Sequence, residues 1–556
     1  MSAQMGGQPV YILSEGVERY RGRDARNMNI LASRVVAEAV KSTLGPKGMD
    51  KMLVDTTGDV VITNDGAAIL KEVEIKHPAA KMMVEIAKTQ EMEVGDGTTT
   101  VVVLAGELLK RTEELLDQDV HATLIAKGFR LAEERALEVL GKMAKKVKGT
   151  ESELKQVALT SLSSKAPGVT AKGHIADLAV AAVKEVAEKR EGKVYIDKDD
   201  IKIQKQSGES TSDSSVIQGV VLDKELANPG MPTAVKNAKI VLANVEMKIK
   251  KTETDAKLDI SSPEQLEAFM KGEEDALRKM AKNIADSGAN VFFCQKSIDD
   301  AAIYFLTKEN ILAAKSISEK DLKLLSKATG ATIITNYEDI KASDLGKAEL
   351  VENKKVSGKE FIFIEGCPKP KAVTIFLRGG SEHVLDEAER SMDDAICVVR
   401  NVLQDSHVLP GGGASAAEVA KELRKHATKI GGREQLAIQE FAKSLEVIPR
   451  TLAENAGLDP IDTLLELRTQ HEKGNADYGI DIATGKSKDM YKSGVVDSMR
   501  VVKQAIRSAT EVAIMVLRID DVIATKGALG GGEEMPPMPP GGMEGMEGMG
   551  GMPPMM

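Results

Sequence analysis

The chain has 556 residues, a formal net charge of −10, 42% hydrophobic and 29% charged residues, and no tryptophan. A chain of that length is too long for a single hydrophobic core, so two to four domains are expected. The composition is ordinary for a globular protein. Aromatic residues make up only 3% of the chain and the net charge is negative, which argues against a nucleic acid as the main partner.

The cysteines and the apolar runs indicate the compartment. Cys294, Cys367 and Cys397 lack disulfide or zinc-site spacing, so buried reduced thiols are expected. No apolar run reaches the ~18 residues of a membrane span. The first residues lack a basic region followed by an apolar one, which argues against a secretory signal. We therefore expect a cytoplasmic protein.

The first 150 residues carry mostly helical apolar periodicity. Predicted helices lie at 17–43, 77–92, 98–117 and 121–146. Between the first two, LGPKGMDKM (44–52) breaks the helix with glycines and a proline. DVVITNDG (59–66) reads as a β-hairpin, or as a strand ending in an Asn-Asp-Gly turn.

The pattern changes in the middle of the chain and then returns. Residues 151–190 look helical, and short apolar strands alternate with helices from 217 to 380, an α/β pattern. The chain is helical again from 381 to about 470, with short strands near 478–503 and a last helix at 506–517. An inserted middle domain is therefore expected, with the two helical ends building one domain together. The Gly/Met-rich tail at 527–556 is expected to be disordered.

EVGDGTTT (93–100) stands between two predicted helices although glycines and β-branched residues are poor helix formers. Glycines let backbone N–H groups approach an anion, and a helix N-terminus offers unpaired N–H donors and a positive dipole end. With three threonine hydroxyls, this predicts a phosphate-binding loop. Asp96 fits there if Mg²⁺ accompanies the phosphate. A plain helix N-terminus capped by Asp or Thr remains the alternative.

Other motifs leave alternatives open. GIDIATGKS (479–487) has one residue too many for a Walker A loop. GGGASA (411–416) marks close backbone approach, either to a ligand or at a tight helix start. Glu387, Ser391 and Asp394 share one face of the helix predicted at 381–404, where carboxylates usually mark a solvated surface. Spacing does not choose between Asp393 and Asp394 for a catalytic role.

Several long motifs together resemble one family. LGPKGMDKMLVD, TNDG, AKTQEMEVGDGTTT, SGANVFFCQKSIDD, GREQLAIQEFAKSLEVIPRTLAENAGLD and LRIDDVI, followed by the Gly/Met-rich tail, closely resemble a group II chaperonin. This is the family of the archaeal thermosome and the eukaryotic cytosolic chaperonin. The resemblance covers essentially the whole chain in the same order. One variation is Ala122, where the family usually has proline.

The resemblance implies a multidomain α and α/β chaperonin fold, with a helical equatorial domain, a small intermediate hinge domain and an inserted α/β apical domain. The implied boundaries are 1–149 and 404–526 for the equatorial domain, 150–217 and 368–403 for the intermediate domain, and 218–367 for the apical domain. A helical protrusion at about 246–277 would serve as a built-in lid.

The resemblance also implies a site for ATP and Mg²⁺. Catalytic roles are implied for Asp65 and Asp394, which would position or deprotonate water, and for Lys165, which would reach the γ-phosphate. Asp96 would bind the metal. The implied nucleotide-binding residues are Thr43, Leu44, Gly45, Pro46, Asn64, Gly97, Thr98, Thr99, Thr100, Gly412, Asp481, Ile482, Ala483 and Asp497.

The implied function is an ATPase that folds proteins. It would be a subunit of a double ring, formed with identical or sister subunits, that encloses non-native proteins under its lid. A ring that only holds or stabilises its clients is the first alternative. A small-molecule ATP-dependent enzyme is the second, although no second-substrate motif is visible.

Overall fold

The computed structural model describes residues 2–5, 8–11, 17–165, 169–249, 263–368 and 371–525. Our expectations for the tail at 527–556 and for the charged stretch at 250–262 concern residues outside these ranges. Among the described residues, no helix combines the length and apolarity that a membrane crossing requires.

Helices dominate both ends of the described chain. They are α1 (Gly22–Lys41), α2 (Gly66–Glu72), α3 (Pro78–Val94), α4 (Thr98–Asp117), α5 (Ala122–Met143), α6 (Glu151–Leu162), α7 (Val169–Val186), α8 (Pro263–Asp286), α9 (Asp300–Lys308), α10 (Glu319–Thr329), α11 (Glu382–Asp405), α12 (Ala414–Ile430), α13 (Gly432–Leu445), α14 (Val447–Asn455), α15 (Pro460–Glu472) and α16 (Met499–Leu517).

Strands concentrate in the middle of the chain. They are β1 (Ser2–Met5), β2 (Gln8–Tyr11), β3 (Val17–Arg21), β4 (Lys51–Val54), β5 (Val60–Thr63), β6 (Lys145–Lys146), β7 (Glu188–Arg190), β8 (Lys193–Tyr195), β9 (Ile201–Ser207), β10 (Ser215–Ile217), β11 (Gly219–Leu222), β12 (Ala234–Ala243), β13 (Val291–Cys294), β14 (Leu312–Ala314), β15 (Ile333–Ile334), β16 (Gly346–Val356), β17 (Lys359–Glu365), β18 (Val373–Gly379), β19 (His407–Pro410), β20 (Tyr478–Asp481), β21 (Lys486–Asp489), β22 (Val496–Ser498) and β23 (Asp521–Thr525).

One hydrophobic cluster joins the two ends of the chain. Its centre is α4, whose residues from Val101 to Leu109 are all buried. A helix that is buried on every side must be covered by neighbours, and α1, α3, α13 and α16 supply that cover. Phe129 of α5 and Phe441 of α13 meet edge to face in the same cluster, with ring centroids 5.6 Å apart.

A second cluster is built where the chain passes between its end and middle regions. Helices α6, α7 and α11 pack on the sheet β10-β18-β9, in which β9 and β18 run parallel. Met392, Ala395 and Val399 of α11 are fully or almost fully buried there. Helix α11 thereby joins the middle of the chain to the helical end region.

The middle region is a mixed sheet covered on both faces. Its strand order is β11-β17-β16-β12-β13-β14, and β15 also pairs with β12. Ile240 and Leu242 of β12 face one hydrophobic cluster, while Val241 and Ala243 face another. This period-2 alternation with both faces buried is the α/β pattern that the sequence predicts. Helix α10 lies on the first face, and α8 and α9 contribute to the second.

Two predicted element boundaries were wrong. The helix expected to start at 17 begins at Gly22, because Val17–Arg21 forms β3 and pairs antiparallel with β23 from the other end of the chain. Arg19 donates a hydrogen bond of 2.9 Å to Asp521 across this pair. The last helix, expected at 506, already begins at Met499, directly after β22. Both boundaries depend on strands that pair with distant segments.

Two interpretations of polar segments were also wrong. TNDG is a helix start and not a turn, since Asp65 caps α2 by accepting a hydrogen bond from the backbone N–H of Ala68. The acidic face of α11 is not solvated, because Glu387 is 8% exposed and Ser391 is fully buried. By contrast the apolar side chain of Val384, on the same helix, is 46% exposed. The buried side of α11 thus contains polar groups beside apolar residues such as Met392.

Candidate functional site

The loop between α3 and α4 is shaped by two glycines in the left-handed conformation. Gly95 ends α3 with φ +74° and Gly97 precedes α4 with φ +79°, a conformation that non-glycine residues rarely adopt. No side chain among the described residues caps α4, so the alternative of an Asp or Thr side-chain cap was wrong. Gly97 and the three threonines of the first turn of α4 line a cavity, and a helix N-terminus has N–H groups without intrahelical partners.

Asp96 lies between these two glycines, and a hydrogen bond to its carbonyl oxygen fixes its backbone. The buried Gln90 donates its side-chain amide to the carbonyl oxygen of Asp96 at 2.8 Å and to that of Val501 at 3.2 Å. The Asp96 carboxylate accepts a hydrogen bond of 2.7 Å from the N–H of Gly97. Gln90 was missed by sequence reasoning. The signal was a polar residue in the apolar stripe of α3, with Met83, Ala87 and Val94.

Two further loops approach the threonines of α4. The Asp65 carboxylate accepts the hydroxyl of Thr98 at 2.8 Å, so Asp65 does face the same site. The hydroxyl oxygens of Thr43 and Thr99 lie 3.4 Å apart. Asn455 fixes the loop after α1 by donating to the carbonyl of Leu44 at 2.8 Å. Sequence reasoning missed Asn455.

The segment after α6, a helix of the second hydrophobic cluster, lies on the cavity. Asn64 donates its side-chain amide to the carbonyl of Ser164, and the Lys165 ammonium group is paired with the Asp394 carboxylate. Lys165 is 6% exposed and lines the cavity. Asp393 instead points toward Lys198, with 3.4 Å between the charged groups. Of the two acids left open by spacing, Asp394 is therefore the one beside the cavity.

The far wall of the cavity is formed by the last third of the chain. Gly412 has φ +61°, and its carbonyl accepts the N–H of Ile480 at 2.9 Å. This bond fixes β20 against the GGGASA loop, which is also a tight start for α12. Asp497 follows nearby on β22. Burial, together with the nearby charge of Asp96, raises the pKa of Asp497 to about 7.

These walls enclose a cavity of about 660 Å³. The structure places every residue of the predicted site on its lining except Asp394, which reaches it through Lys165, and Ala483, which donates its N–H to Asp481. The volume lies in the range of cofactor and ligand pockets. The lining combines polar side chains with apolar residues such as Leu452 and Ile482.

The carboxylates that line the cavity are the candidate ligands for a metal ion. Among the residues that the structure describes, no cluster of three or more His, Cys, Asp or Glu side chains could hold a metal ion alone. Mg²⁺ takes one or two carboxylates and leaves its other positions to phosphates and water. Asp96, with the carboxyl group of Asp497 nearby, therefore fits a metal that arrives with phosphate.

A helical body, an inserted α/β region and a cavity at an uncapped helix start are the features of a multidomain protein of the chaperonin class. Residues 36–527 match the TCP-1/cpn60 chaperonin family, and the chain belongs to that family.

The relatives refine this assignment. The chain is 54% identical to a thermosome subunit of Pyrococcus horikoshii over 96% of its length and 98% of that protein. It is 55% identical to thermosome subunit alpha of Archaeoglobus fulgidus, over 94% and 96% of the two chains. It is 53% identical to thermosome subunit beta of Thermococcus kodakarensis, over 96% and 99%. The resemblance to a group II chaperonin and the expected fold class are confirmed, and the chain is a molecular chaperone of this type.

Proposed function

We propose that this chaperonin binds ATP with Mg²⁺ in the 660 Å³ cavity and hydrolyses it to drive protein folding. The observation that carries the proposal is the convergence of the uncapped α4 N-terminus with Asp65, Asp96 and Lys165 around one space. Uncapped helix N-terminal N–H groups bind phosphate through hydrogen bonds and the helix dipole.

Phosphate groups would lie against the start of α4. There Gly97 gives close backbone approach, and Thr98, Thr99 and Thr100 offer N–H and hydroxyl groups. The loop from Thr43 to Pro46 and Asn64 would close the same end. Mg²⁺, held by Asp96, would neutralise phosphate charge.

The adenosine end would lie against the far wall. Gly412 lets the backbone of β20 come close. The residues at the end of β20 and directly after it would contact the ligand. The nucleotide-binding residues proposed for this wall are Gly412, Asp481, Ile482, Ala483 and Asp497. Apart from Ala483, all of them line the cavity.

Hydrolysis would depend on positioned groups and not on a covalent step. Asp65 and Asp394 would orient the attacking water and accept its proton, and Lys165 would stabilise charge on the γ-phosphate. Lys165 follows α6 and Asp394 lies in α11, and both helices pack in the second hydrophobic cluster, so movement of that cluster would remove the two residues from the site. Nucleotide state would thereby be coupled to conformation.

The hydrophobic clusters fall into three groups: one joins the two ends of the chain, one contains α6, α7 and α11, and one covers the two faces of the middle sheet. These groups support the proposed domain division. The equatorial domain would comprise 1–149 and 404–526, the intermediate domain 150–217 and 368–403, and the apical domain 218–367. Leu277 and Ile284 bury one face of α8 against the middle sheet, whereas Met270, about two turns before Leu277, is 61% exposed. The protrusion at about 246–277 would therefore extend from a fixed base and act as a lid.

The partners would be non-native proteins and further subunits of a double ring. We place the protein in the cytoplasm, in keeping with three free, buried cysteines.

The refolding of a denatured client protein tests the function. We expect Asp394→Asn to bind ATP but to lose ATP-dependent refolding, while Asp393→Asn on the same helix keeps it. Refolding by Asp394→Asn at the yield of the unmodified protein would contradict hydrolysis-driven folding and favour a holding ring.

A further inference from the structure

A buried charged cluster lies behind the wall formed by β20. It consists of His471 at the end of α15 with Glu418 and Lys421 of α12. Their exposures are 1%, 7% and 7%. Burying three ionisable side chains is costly, and a buried ion pair often adds no stability over apolar residues of similar volume. A role in positioning explains the cluster better than stability alone.

The ring of His471 connects α12 to the first residue of β20. Its Nδ1 lies 2.7 Å from a carboxylate oxygen of Glu418, and its Nε2 lies 2.8 Å from the carbonyl oxygen of Tyr478. Both partners are hydrogen-bond acceptors, so the ring is held between two oxygens that belong to different elements.

Lys421 completes the cluster. Its ammonium group lies 2.5 Å from Glu418 and donates a 3.0 Å hydrogen bond to the carbonyl of His471. Burial alone would raise the pKa of Glu418, but hydrogen bonds from His471 and Lys421 outweigh it and lower that pKa. Glu418 is therefore an anion that contacts both His471 and Lys421, and the ring is fixed in place.

The strand that His471 contacts forms a wall of the cavity. Two residues beyond Tyr478, the N–H of Ile480 bonds to Gly412, and Ile480, Asp481 and Ile482 line the cavity. A methyl group on Gly479 would lie 2.6 Å from the carbonyl oxygen of Gly411. Because the strand is this close to the loop, a displacement at Tyr478 changes the space left for a ligand.

We infer that His471 is a positioning residue for the nucleotide: its ring fixes β20 through the Tyr478 carbonyl and so sets the adenosine side of the cavity. The inference rests on the proposed function, since it assigns the β20 wall to the adenosine end. It predicts that loss of the ring weakens binding of the nucleoside part and leaves phosphate binding at α4 unchanged.

Calorimetric titration with ADP and with tripolyphosphate, both with Mg²⁺, tests this. We expect His471→Gln to weaken ADP binding about tenfold, as loss of a charge-assisted hydrogen bond would, with the tripolyphosphate affinity unchanged. The KM for ATP should rise by a similar factor with little change in kcat. His426→Gln, on α12, is the control and should bind both ligands as the unmodified protein does.

Glu418→Gln is the second variant, because it leaves the ring in place and removes only its anionic partner. It should weaken ADP binding less than His471→Gln and in the same selective way. Unchanged ADP affinity in both variants, or an equal loss of ADP and tripolyphosphate affinity, would overturn the inference. Failure of the unmodified protein to bind either ligand would instead overturn the proposed function.

Discussion

Lys165 and Asp394 form an ion pair at the edge of the cavity, with the two side chains only 6% and 16% exposed. One residue follows α6 and the other lies in α11, so both belong to the elements of the second hydrophobic cluster. While Lys165 neutralises Asp394, it is directed at a carboxylate and not at a phosphate. A bound γ-phosphate would replace Asp394 as the partner of the Lys165 ammonium group.

Lys165→Met should therefore act on hydrolysis more than on binding. We expect kcat for ATP to fall about a hundredfold, the scale found when one group that stabilises transition-state charge is removed. ADP affinity should change less than about threefold, because the α4 contacts remain. Lys198→Met is the matched control, since Lys198 pairs with the neighbouring Asp393 at 3.4 Å. A normal kcat in Lys165→Met would rule out the role given to Lys165.

Gln90 should govern the metal requirement through Asp96. Gln90→Leu removes the 2.8 Å hydrogen bond to the Asp96 carbonyl but keeps a similar side-chain volume. We expect the Mg²⁺ concentration for half-maximal hydrolysis to rise about tenfold, as for other residues that orient a metal ligand. ADP binding in the presence of a chelator should not change. The exposed neighbour Thr89, changed to alanine, is the control. An unaltered Mg²⁺ dependence would show that Asp96 needs no such support.

Gly95→Ala should destabilise the protein by two separate effects. The new methyl group would lie 2.4 Å from the sulfur of the buried Cys397, and the backbone has φ +74°. Gly192→Ala isolates the backbone effect, because Gly192 has φ +80° with nothing near its added methyl group. We expect about 1 kcal/mol for Gly192→Ala and about 2–4 kcal/mol for Gly95→Ala, measured by thermal unfolding. An equal loss in the free energy of unfolding for both variants would mean that α11 moves to accommodate the methyl group.

Glu446 should contribute a pH-dependent part of the stability. It is buried, and it accepts hydrogen bonds from Arg468 at 2.7 Å and from Arg424 at 2.8 Å. Burial alone would raise the pKa of Glu446, but Arg468 and Arg424 outweigh it and lower that pKa. The stabilisation is therefore complete above the unfolded pKa of about 4.3 and is lost as pH falls through the lower folded pKa.

Thermal unfolding of Glu446→Gln between pH 7 and pH 3.5 measures this contribution. We expect a loss of about 2 kcal/mol at pH 7, less than for a fully buried pair because Arg468 is partly exposed. The difference from the unmodified protein should shrink below about pH 4. Glu114→Gln, at an exposed pair with Arg111, should show almost no loss. A difference that stays constant with pH would contradict the assigned ionisation of Glu446.

Local patterns predicted the helices near the site well. Thr98 as the start of α4 and the α/β alternation of the middle region follow from glycine placement and apolar periodicity. Features set by distant partners were not predictable in this way. The helical prediction for Val17–Arg21 failed because its pairing strand lies near residue 523.

Buried polar residues were the other gap. Gln90, Ser391 and Asn401 are polar residues that interrupt apolar helix faces. Sequence reasoning treated Ser391 as part of a surface and missed Gln90 and Asn401. Asn401 is fully buried and donates to the carbonyl of Val94 at 2.8 Å, joining α11 to the end of α3. Their importance depends on which backbone groups the fold brings near them, and the local sequence does not contain that information.

The structure of this chaperonin with a non-hydrolysable ATP analogue and Mg²⁺, determined by electron cryomicroscopy, tests the central claim most directly. The account predicts the analogue in the cavity, with its phosphates on the N–H groups of Gly97–Thr100, the metal on Asp96 and Lys165 moved from Asp394 to the terminal phosphate. A saturated sample whose nucleotide lies elsewhere, or whose cavity remains free of it, would contradict the account.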